Sequence, residues 1–180
     1  VVKLTANPNF EAQGSYAFTV VATDQAGNSS SKAVTLSINN LDEVAPTITS
    51  GGVATAINEN SGAGQVVYTA TSTDTADVSG GVKYSLTGTD STAFSIDEDS
   101  GAVTLTADPD YESKSSYTFT VVARDAAGNS SSRAVTLSIN NLDEVAPTIT
   151  SAGTATAINE NSGASQVVYT VTSTDTADIS

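Results

Sequence analysis

Apolar and polar residues alternate along the middle of the chain with the two-residue period of β-strands that bury one face. The clearest alternation runs through four sets: Val82/Tyr84/Leu86, Val103/Leu105, Tyr117/Phe119/Val121 and Val135/Leu137/Ile139. Weaker strand signals lie at 54–57, 66–68 and 94–96. Because no stretch shows the 3.6-residue period of a helix, the pattern predicts seven short strands separated by turns.

Seven strands in about 100 residues are typical of an all-β, antiparallel Greek-key sandwich with immunoglobulin-like topology. Val and Thr, which favour strands, are frequent in these segments. The turn at 126–129 places Gly128 where a positive φ is expected. The predicted core consists of Tyr84, Phe94, Leu105, Phe119, Val121, Leu137 and Ile139.

The sequence repeats itself at an offset of 101 residues. When residues 1–79 are aligned with residues 102–180 without a gap, 62 of the 79 positions are identical. A repeat of this length corresponds to one whole β-sandwich, so the chain is predicted to belong to a tandem array of domains.

The chain is out of phase with this repeat. If Pro46 begins a unit, residues 46–146 form one complete repeat, residues 1–45 are the C-terminal part of the preceding repeat, and residues 147–180 are the N-terminal part of the next. The two partial pieces lack any counterpart of 80–101, and a half-sandwich alone is expected to be disordered because its core and edges are exposed. We therefore expect this chain to be a window on a longer array; a proteolysed fragment is the alternative.

Composition removes many kinds of chemistry. The chain has 20 acidic and 6 basic residues, a net charge of −14, and no His, Cys, Met or Trp. Without His or Cys it has no Ser-His-Asp triad, thiol nucleophile, disulfide or common zinc site. The negative charge disfavours nucleic acids and anionic membrane surfaces, and no apolar run approaches the ~20 residues of a membrane span. Carboxylate-rich sites instead favour Ca²⁺ or Mg²⁺.

The acidic residues gather in five short segments: Asn58-Glu59-Asn60, Asp74-Thr75-Ala76-Asp77, Asp108-Pro109-Asp110-Tyr111-Glu112, Asp125 and Asn140-Asn141-Leu142-Asp143-Glu144. In a sandwich, strand ends and turns lie at two poles. Glu59, Asp110, Glu112 and residues 141–144 are expected at one pole. Asp74, Asp77 and Asp125 are expected at the other.

These five segments, in this order, resemble the motifs of cadherin repeats, especially the cadherin-like repeats of large bacterial surface adhesins. The segment 57–60 is similar to the Glu-Asn motif of the first strand, 110–112 to the Asp-Arg-Glu motif, and 74–77 to Asp-Ala-Asp. Residues 122–125 resemble the Ala-x-Asp motif, and 141–147 resemble the linker Asp-x-Asn-Asp-Asn-Ala-Pro.

The resemblance implies Ca²⁺ between consecutive repeats. At the first junction it implies the ligands Asn9, Glu11, Asn40, Asp42, Glu43, Asp74, Asp77 and Asp125. At the second it implies Glu59, Asp110, Glu112, Asn141, Asp143, Glu144, Asp175 and Asp178. Asp24, the counterpart of Asp125, would serve a junction with a neighbouring copy. Asn replaces Asp at positions 9 and 141, which lowers the charge of the sites, so two or three ions per junction are expected.

The function that the resemblance implies is a non-enzymatic, extracellular repeat that Ca²⁺ makes rigid, acting as an extender or filament segment of a cell-surface adhesin or fibre. Its partners would be adjacent copies of the same repeat, in tandem or end to end. Two alternatives stay open. One is a repeat that itself binds another copy or a surface ligand, and the other is an immunoglobulin-like spacer whose rigidity needs no metal.

Overall fold

A computed structural model describes residues 1–74 and 80–176. The described residues form strands and turns, with one short 3₁₀ turn at Ser91–Ala93. Their thirteen strands are β1 (Ser15–Thr23), β2 (Ser29–Ser37), β3 (Thr47–Ile48), β4 (Ile57–Asn58), β5 (Val66–Thr69), β6 (Ser72–Thr73), β7 (Val82–Thr87), β8 (Phe94–Ile96), β9 (Ala102–Leu105), β10 (Ser116–Asp125), β11 (Ser130–Asn140), β12 (Thr148–Ile149) and β13 (Ser173–Thr174). This described part of the chain has no helix of the length and hydropathy that a membrane span requires.

The region 46–146 forms the expected β-sandwich, which confirms the all-β fold. One sheet has the strand order β4-β11-β10-β7 and the other has the order β5-β9-β8, with β3 paired to β6 as a separate two-stranded piece. Six of the seven predicted strands are present, and of the seventh, predicted at 54–57, only Ile57 lies in a strand, β4. The two-residue strands β3 and β6 were not predicted, because a run of two residues is too short to show an alternating pattern.

The strand pairing departs from a purely antiparallel arrangement along β11, where Val53 also forms a parallel bridge with Thr136. β10 pairs antiparallel with both β11 and β7, but β4 runs parallel to β11, with Ile57 opposite Ile139 and Asn58 opposite Asn140. The first part of the unit therefore contributes β3 to a pair with β6 and then β4 to the sheet of β11. This parallel pairing carries the residue after β4, Glu59, to the end of β11.

The two sheets meet through aromatic rings. Tyr68 of β5 contacts Phe119 of β10 edge-on at a centroid distance of 6.0 Å, and Phe94 of β8 lies 4.6 Å from Phe119 and 5.6 Å from Tyr117. Six of the seven predicted core residues are buried, and Tyr84, the seventh, is half-buried against this core. Its hydroxyl oxygen lies 2.7 Å from Ser72 Oγ, which keeps the polar end of the ring at the edge of the core.

The flanking segments repeat the local structure of the complete unit. β1 and β2 pair in the register of β10 and β11, with Ser15 opposite Ser37 as Ser116 is opposite Ser138. β12 and β13 likewise repeat the pairing of β3 and β6. In the part of the chain that the structure describes, no further strand joins either flanking pair, and equivalent side chains differ in burial: Leu137 is fully buried, whereas Leu36 is 38% exposed.

Candidate metal centre

One group of carboxylates lies where β4 ends and β10 is about to begin. Carboxylate oxygens of Glu59, Asp110 and Glu112 lie within 4.8 Å of one another. The pairing of β4 with β11 brings Glu59 to this place. The Glu59 N–H extends that pairing, because it donates to the Asn140 carbonyl (3.1 Å). The structure thus joins three of the residues that the sequence placed at this pole.

The Glu59 side chain connects the segments that meet at this pole, and Glu59 is only 1% exposed. One carboxylate oxygen accepts a hydrogen bond from the Tyr111 amide (2.8 Å), and the other accepts one from the Leu142 amide (2.5 Å). These two amides lower the pKa of Glu59, against the opposing effect of burial. Glu59 is therefore an anion that ties the 108–112 turn to the segment that follows β11.

Asp110 is held in a turn of its own. Its carboxylate accepts hydrogen bonds from the Ser113 amide (3.0 Å) and the Ser113 hydroxyl (2.7 Å), and these lower the pKa of Asp110. Asp108 accepts a hydrogen bond from the Gly62 amide (2.7 Å), which links the same turn to the loop after β4. The lowered pKa keeps the Asp110 carboxylate ionised at neutral pH, as a cation site requires.

Of the other residues assigned to this junction, Asn141, Asp143 and Glu144 lie in the linker that follows β11. Asn141 is half-buried, and Asp143 is exposed and accepts a hydrogen bond from the Val145 amide (3.0 Å). Glu144 accepts one from the Asn60 side chain, which holds the linker against the loop after β4. Asp175 is exposed, and Asp178 lies outside the described residues.

A second carboxylate group joins the segment before the complete unit to that unit. Asp42, Asp74 and Asp125 bring carboxylate oxygens within 4.8 Å of one another. They come from three separate places: the segment before β3, the residue after β6, and the last residue of β10. Because β10 has ten residues at about 3.4 Å each, Asp125 and the 110–112 turn lie at opposite ends of the unit.

Two features of this second group favour a cation. Asp42 Oδ2 is buried and has no hydrogen-bond partner among the described residues. A buried carboxylate oxygen without a partner is costly, and a cation is one of the few ligands that offsets that cost. Hard-oxygen ligands that converge from several loops are what Ca²⁺ requires, so the residues present fit this ion.

Asp125 is fixed by the turn between β10 and β11. Its carboxylate accepts hydrogen bonds from the amides of Gly128 (2.6 Å) and Asn129 (2.8 Å) and from the Asn129 side chain (2.9 Å). Burial alone would raise the pKa of Asp125, but these hydrogen bonds outweigh it and lower the pKa. Gly128 has φ +102°, the positive value expected from its place in the turn.

Sequence reasoning missed one residue of this pole, Asn129. Its side-chain N–H donates to the Asp42 carbonyl (3.0 Å), and so joins the two segments that the carboxylates also join. The sequence contained no signal for this contact, because Asn is common in turns for reasons of local backbone conformation alone.

Of the other residues assigned to the first junction, four share a cleft. Asn9, Glu11, Asn40 and Glu43 line one cleft of about 150 Å³, where Asn9 Oδ1 accepts a hydrogen bond from the Ala12 amide (2.7 Å). Asp77 lies outside the described residues. Asp24 sits in the β1–β2 turn, where the side chain and amide of Asn28 donate to it and lower its pKa.

Comparisons with known proteins agree with this architecture. Residues 54–140 match the model of the cadherin domain. Among curated proteins, mouse protocadherin Fat 4 is 27% identical over 180 residues, which cover 97% of this chain and 4% of that protein. The Drosophila melanogaster protocadherin-like wing polarity protein stan is 27% identical over 170 residues, which cover 92% of this chain and 5% of that protein. The chain therefore spans only about a twentieth of these relatives.

Solved structures show the same fold. Mouse cadherin-23 EC22-24 superposes with a TM-score of 0.58 at 23% identity, over 96% of this chain and 57% of that one. The protocadherin gammaB7 EC3-6 cis-dimer gives 0.56 at 26% identity, over 79% of this chain and 37% of that one. The resemblance to cadherin repeats that was drawn from the acidic motifs is confirmed, as is the extracellular location expected from it. The chain therefore contains a cadherin-like repeat, in which residues 54–140 match the model of the cadherin domain.

Proposed function

We propose that this chain is a non-enzymatic segment of an extracellular fibre or long cell-surface adhesin, in which Ca²⁺ makes successive repeats rigid. The repeat boundaries in this proposal are 1–45, 46–146 and 147–180, and the partners are adjacent copies of the same repeat. Each boundary is a place where a linker meets the end of a sandwich, so a cation there would fix the angle between repeats.

The carboxylate group at the start of the complete repeat carries this proposal. Asp42 belongs to the linker, whereas Asp74 and Asp125 belong to the repeat that follows, yet their oxygens lie within 4.8 Å. Three carboxylates so close repel one another, and salt screens them only partly at a Debye length of ~8 Å. A bound cation turns that repulsion into attraction between linker and repeat.

The second carboxylate group would act at the next boundary. Glu59, Asp110 and Glu112 supply three acidic side chains there. The linker that carries Asn141, Asp143 and Glu144 is joined to this pole by the Leu142 amide, which donates to Glu59. Each Ca²⁺ takes six to eight oxygen ligands, so several of these side chains must bind the same ion. We propose two or three ions per junction, with Asp175 and Asp178 contributed by the following repeat.

The expected strength is that of an extracellular module, with Kd values of about 10⁻⁴–10⁻³ M. At ten to one hundred times Kd, each ion would stabilise its junction by roughly 1.4–2.7 kcal/mol. Such an energy suffices to make a flexible connection predominantly rigid while leaving it sensitive to the external Ca²⁺ concentration.

The experiment compares the chain in Ca²⁺ and in chelator by small-angle scattering, with a parallel calorimetric Ca²⁺ titration. We expect Ca²⁺ to bind and the dimensions to become larger and more uniform. The variant D42N/D74N should lose this response at the first junction. E98Q/D99N removes the same charge from an exposed hairpin outside both groups and should respond as the unmodified chain does.

Two results would contradict the proposal. One is unchanged dimensions on chelation, which would favour the metal-free spacer. The other is an equal loss of Ca²⁺ binding in D42N/D74N and in the hairpin control, which would mean that binding depends on net charge alone.

A further inference from the structure

We infer that Asn129 is a positioning residue that joins linker to repeat without a metal and holds Asp42 ready for the cation. The inference extends the proposed function, because it concerns the junction at which Asp42, Asp74 and Asp125 meet. It assigns a role to a side chain that is neither acidic nor required for the sandwich core.

The geometry of the Asn129 side chain supports this role. A carboxamide has two N–H donors, and both are used here. The side-chain nitrogen donates to the Asp42 carbonyl of the linker (3.0 Å) and to Asp125 Oδ2 of the repeat (2.9 Å). The same small group therefore connects the main chain of one ligand-bearing segment to the carboxylate of another.

The surroundings of Asn129 hold its side chain in the position that makes these hydrogen bonds. Asn129 is half-buried, and its backbone N–H also donates to Asp125 Oδ1 (2.8 Å), so the residue is fixed at both its main chain and its side chain. Partial burial strengthens such contacts because water competes less for the donors. The linker carbonyl is thus held by a donor that cannot rotate away without breaking the Asp125 contact.

The chain contains its own control for this interaction. Asn28 occupies the equivalent turn of the preceding repeat and donates to Asp24 from both its amide (2.9 Å) and its side chain (3.0 Å). Asn28 is exposed, and among the described residues its hydrogen bonds stay within that turn. The turn contact is therefore common to both repeats, and the linker contact distinguishes Asn129.

The physical consequence concerns the metal-free junction. Without a cation, Asp42, Asp74 and Asp125 repel one another and drive the linker outward. The hydrogen bond from Asn129 to the Asp42 carbonyl opposes that movement without adding charge. The Asp42 carboxylate then needs less reordering when Ca²⁺ arrives, which raises affinity through preorganisation.

The test uses N129A, N129D and the control N28A in the full chain. ¹⁵N relaxation in chelator measures the order of the backbone amides of residues 42–44. In the unmodified chain we expect order parameters close to the rigid value of about 0.85, and in both position-129 variants values that fall toward the flexible range below about 0.6. N129D keeps the shape of the side chain but lacks both donors and adds a negative charge beside Asp125, so its effect should be at least as large as that of N129A.

A Ca²⁺ titration of the same proteins gives the second readout. N129A should bind Ca²⁺ at this junction roughly two- to ten-fold more weakly, the range expected for losing one ordinary hydrogen bond. N28A should match the unmodified chain in both measurements. Unchanged order at 42–44 in N129A and N129D, or an equal effect of N28A, would overturn the inference. Failure of the unmodified chain to bind Ca²⁺ would instead contradict the proposed function and leave the metal-free contact measurable by relaxation.

Discussion

Replacing Leu137 and Leu36 with Ala compares one position in two environments. Both residues lie in the sequence AVTLSIN and occupy equivalent places, in β11 and β2. Leu137 is fully buried between two sheets, whereas Leu36 is 38% exposed in a hairpin that no further strand joins among the described residues. Any difference between the variants therefore comes from tertiary burial and not from local sequence.

The expected magnitudes follow from these environments. Leu137→Ala removes apolar atoms from a closed core and leaves a cavity, which costs about 3–4 kcal/mol. Leu36→Ala leaves no cavity because the face is open, and we expect a loss of about 1 kcal/mol or less. For a domain of about 100 residues, each kcal/mol lowers Tm by roughly 4–8 °C, so Leu137→Ala should lower it by at least about 12 °C.

Scanning calorimetry and urea unfolding, both at one fixed Ca²⁺ concentration, measure this difference. Fixed Ca²⁺ is necessary because a bound ion itself changes Tm. The main unfolding transition should shift in Leu137→Ala and stay nearly unchanged in Leu36→Ala. Equal shifts would refute the reasoning, since they would place the cooperative core outside residues 46–146.

Two further predictions concern single interactions. Gly101 has φ +71°, and a Cβ there would lie 2.5 Å from the Ala70 carbonyl oxygen. Gly101→Ala should therefore lower the free energy of unfolding, measured in urea, by about 2–4 kcal/mol. The control Gly51→Ala, with open space around it, should lower it by less than about 1 kcal/mol. Asp90 accepts a hydrogen bond from Lys114 Nζ (2.6 Å), which lowers its pKa below the ordinary 3.8. Its contribution to stability is therefore complete above that ordinary value and is lost as pH falls through the lowered one.

The checks on these two predictions are direct. A Gly101→Ala variant as stable as Gly51→Ala would mean that the backbone relaxes without cost. For Asp90, unfolding free energies are compared with those of Asp90→Asn at several pH values. The difference between the two proteins should be constant near neutral pH and shrink on acidification. A difference that grows as pH falls would contradict the assigned direction.

Much of the fold could be predicted from the sequence because it depends on local periodicity. The alternation through Tyr117, Phe119 and Val121 locates β10 and its buried face, since side chains of a strand alternate between two sides. The 101-residue offset gives the repeat, and β1–β2 pairs in the register of β10–β11. Turn chemistry located Gly128 at a positive φ.

What only the tertiary structure decided is which distant oxygens meet. Glu59 reaches Asp110 and Glu112 because β4 runs parallel to β11, and a two-residue strand carries no sequence signal of its partner or direction. Asp42 meets Asp74 and Asp125 only because the linker lies across the end of β10, where Asn129 holds its carbonyl. Periodicity fixes which face a side chain occupies, whereas proximity between segments depends on strand pairing and linker path, which are set by long-range packing.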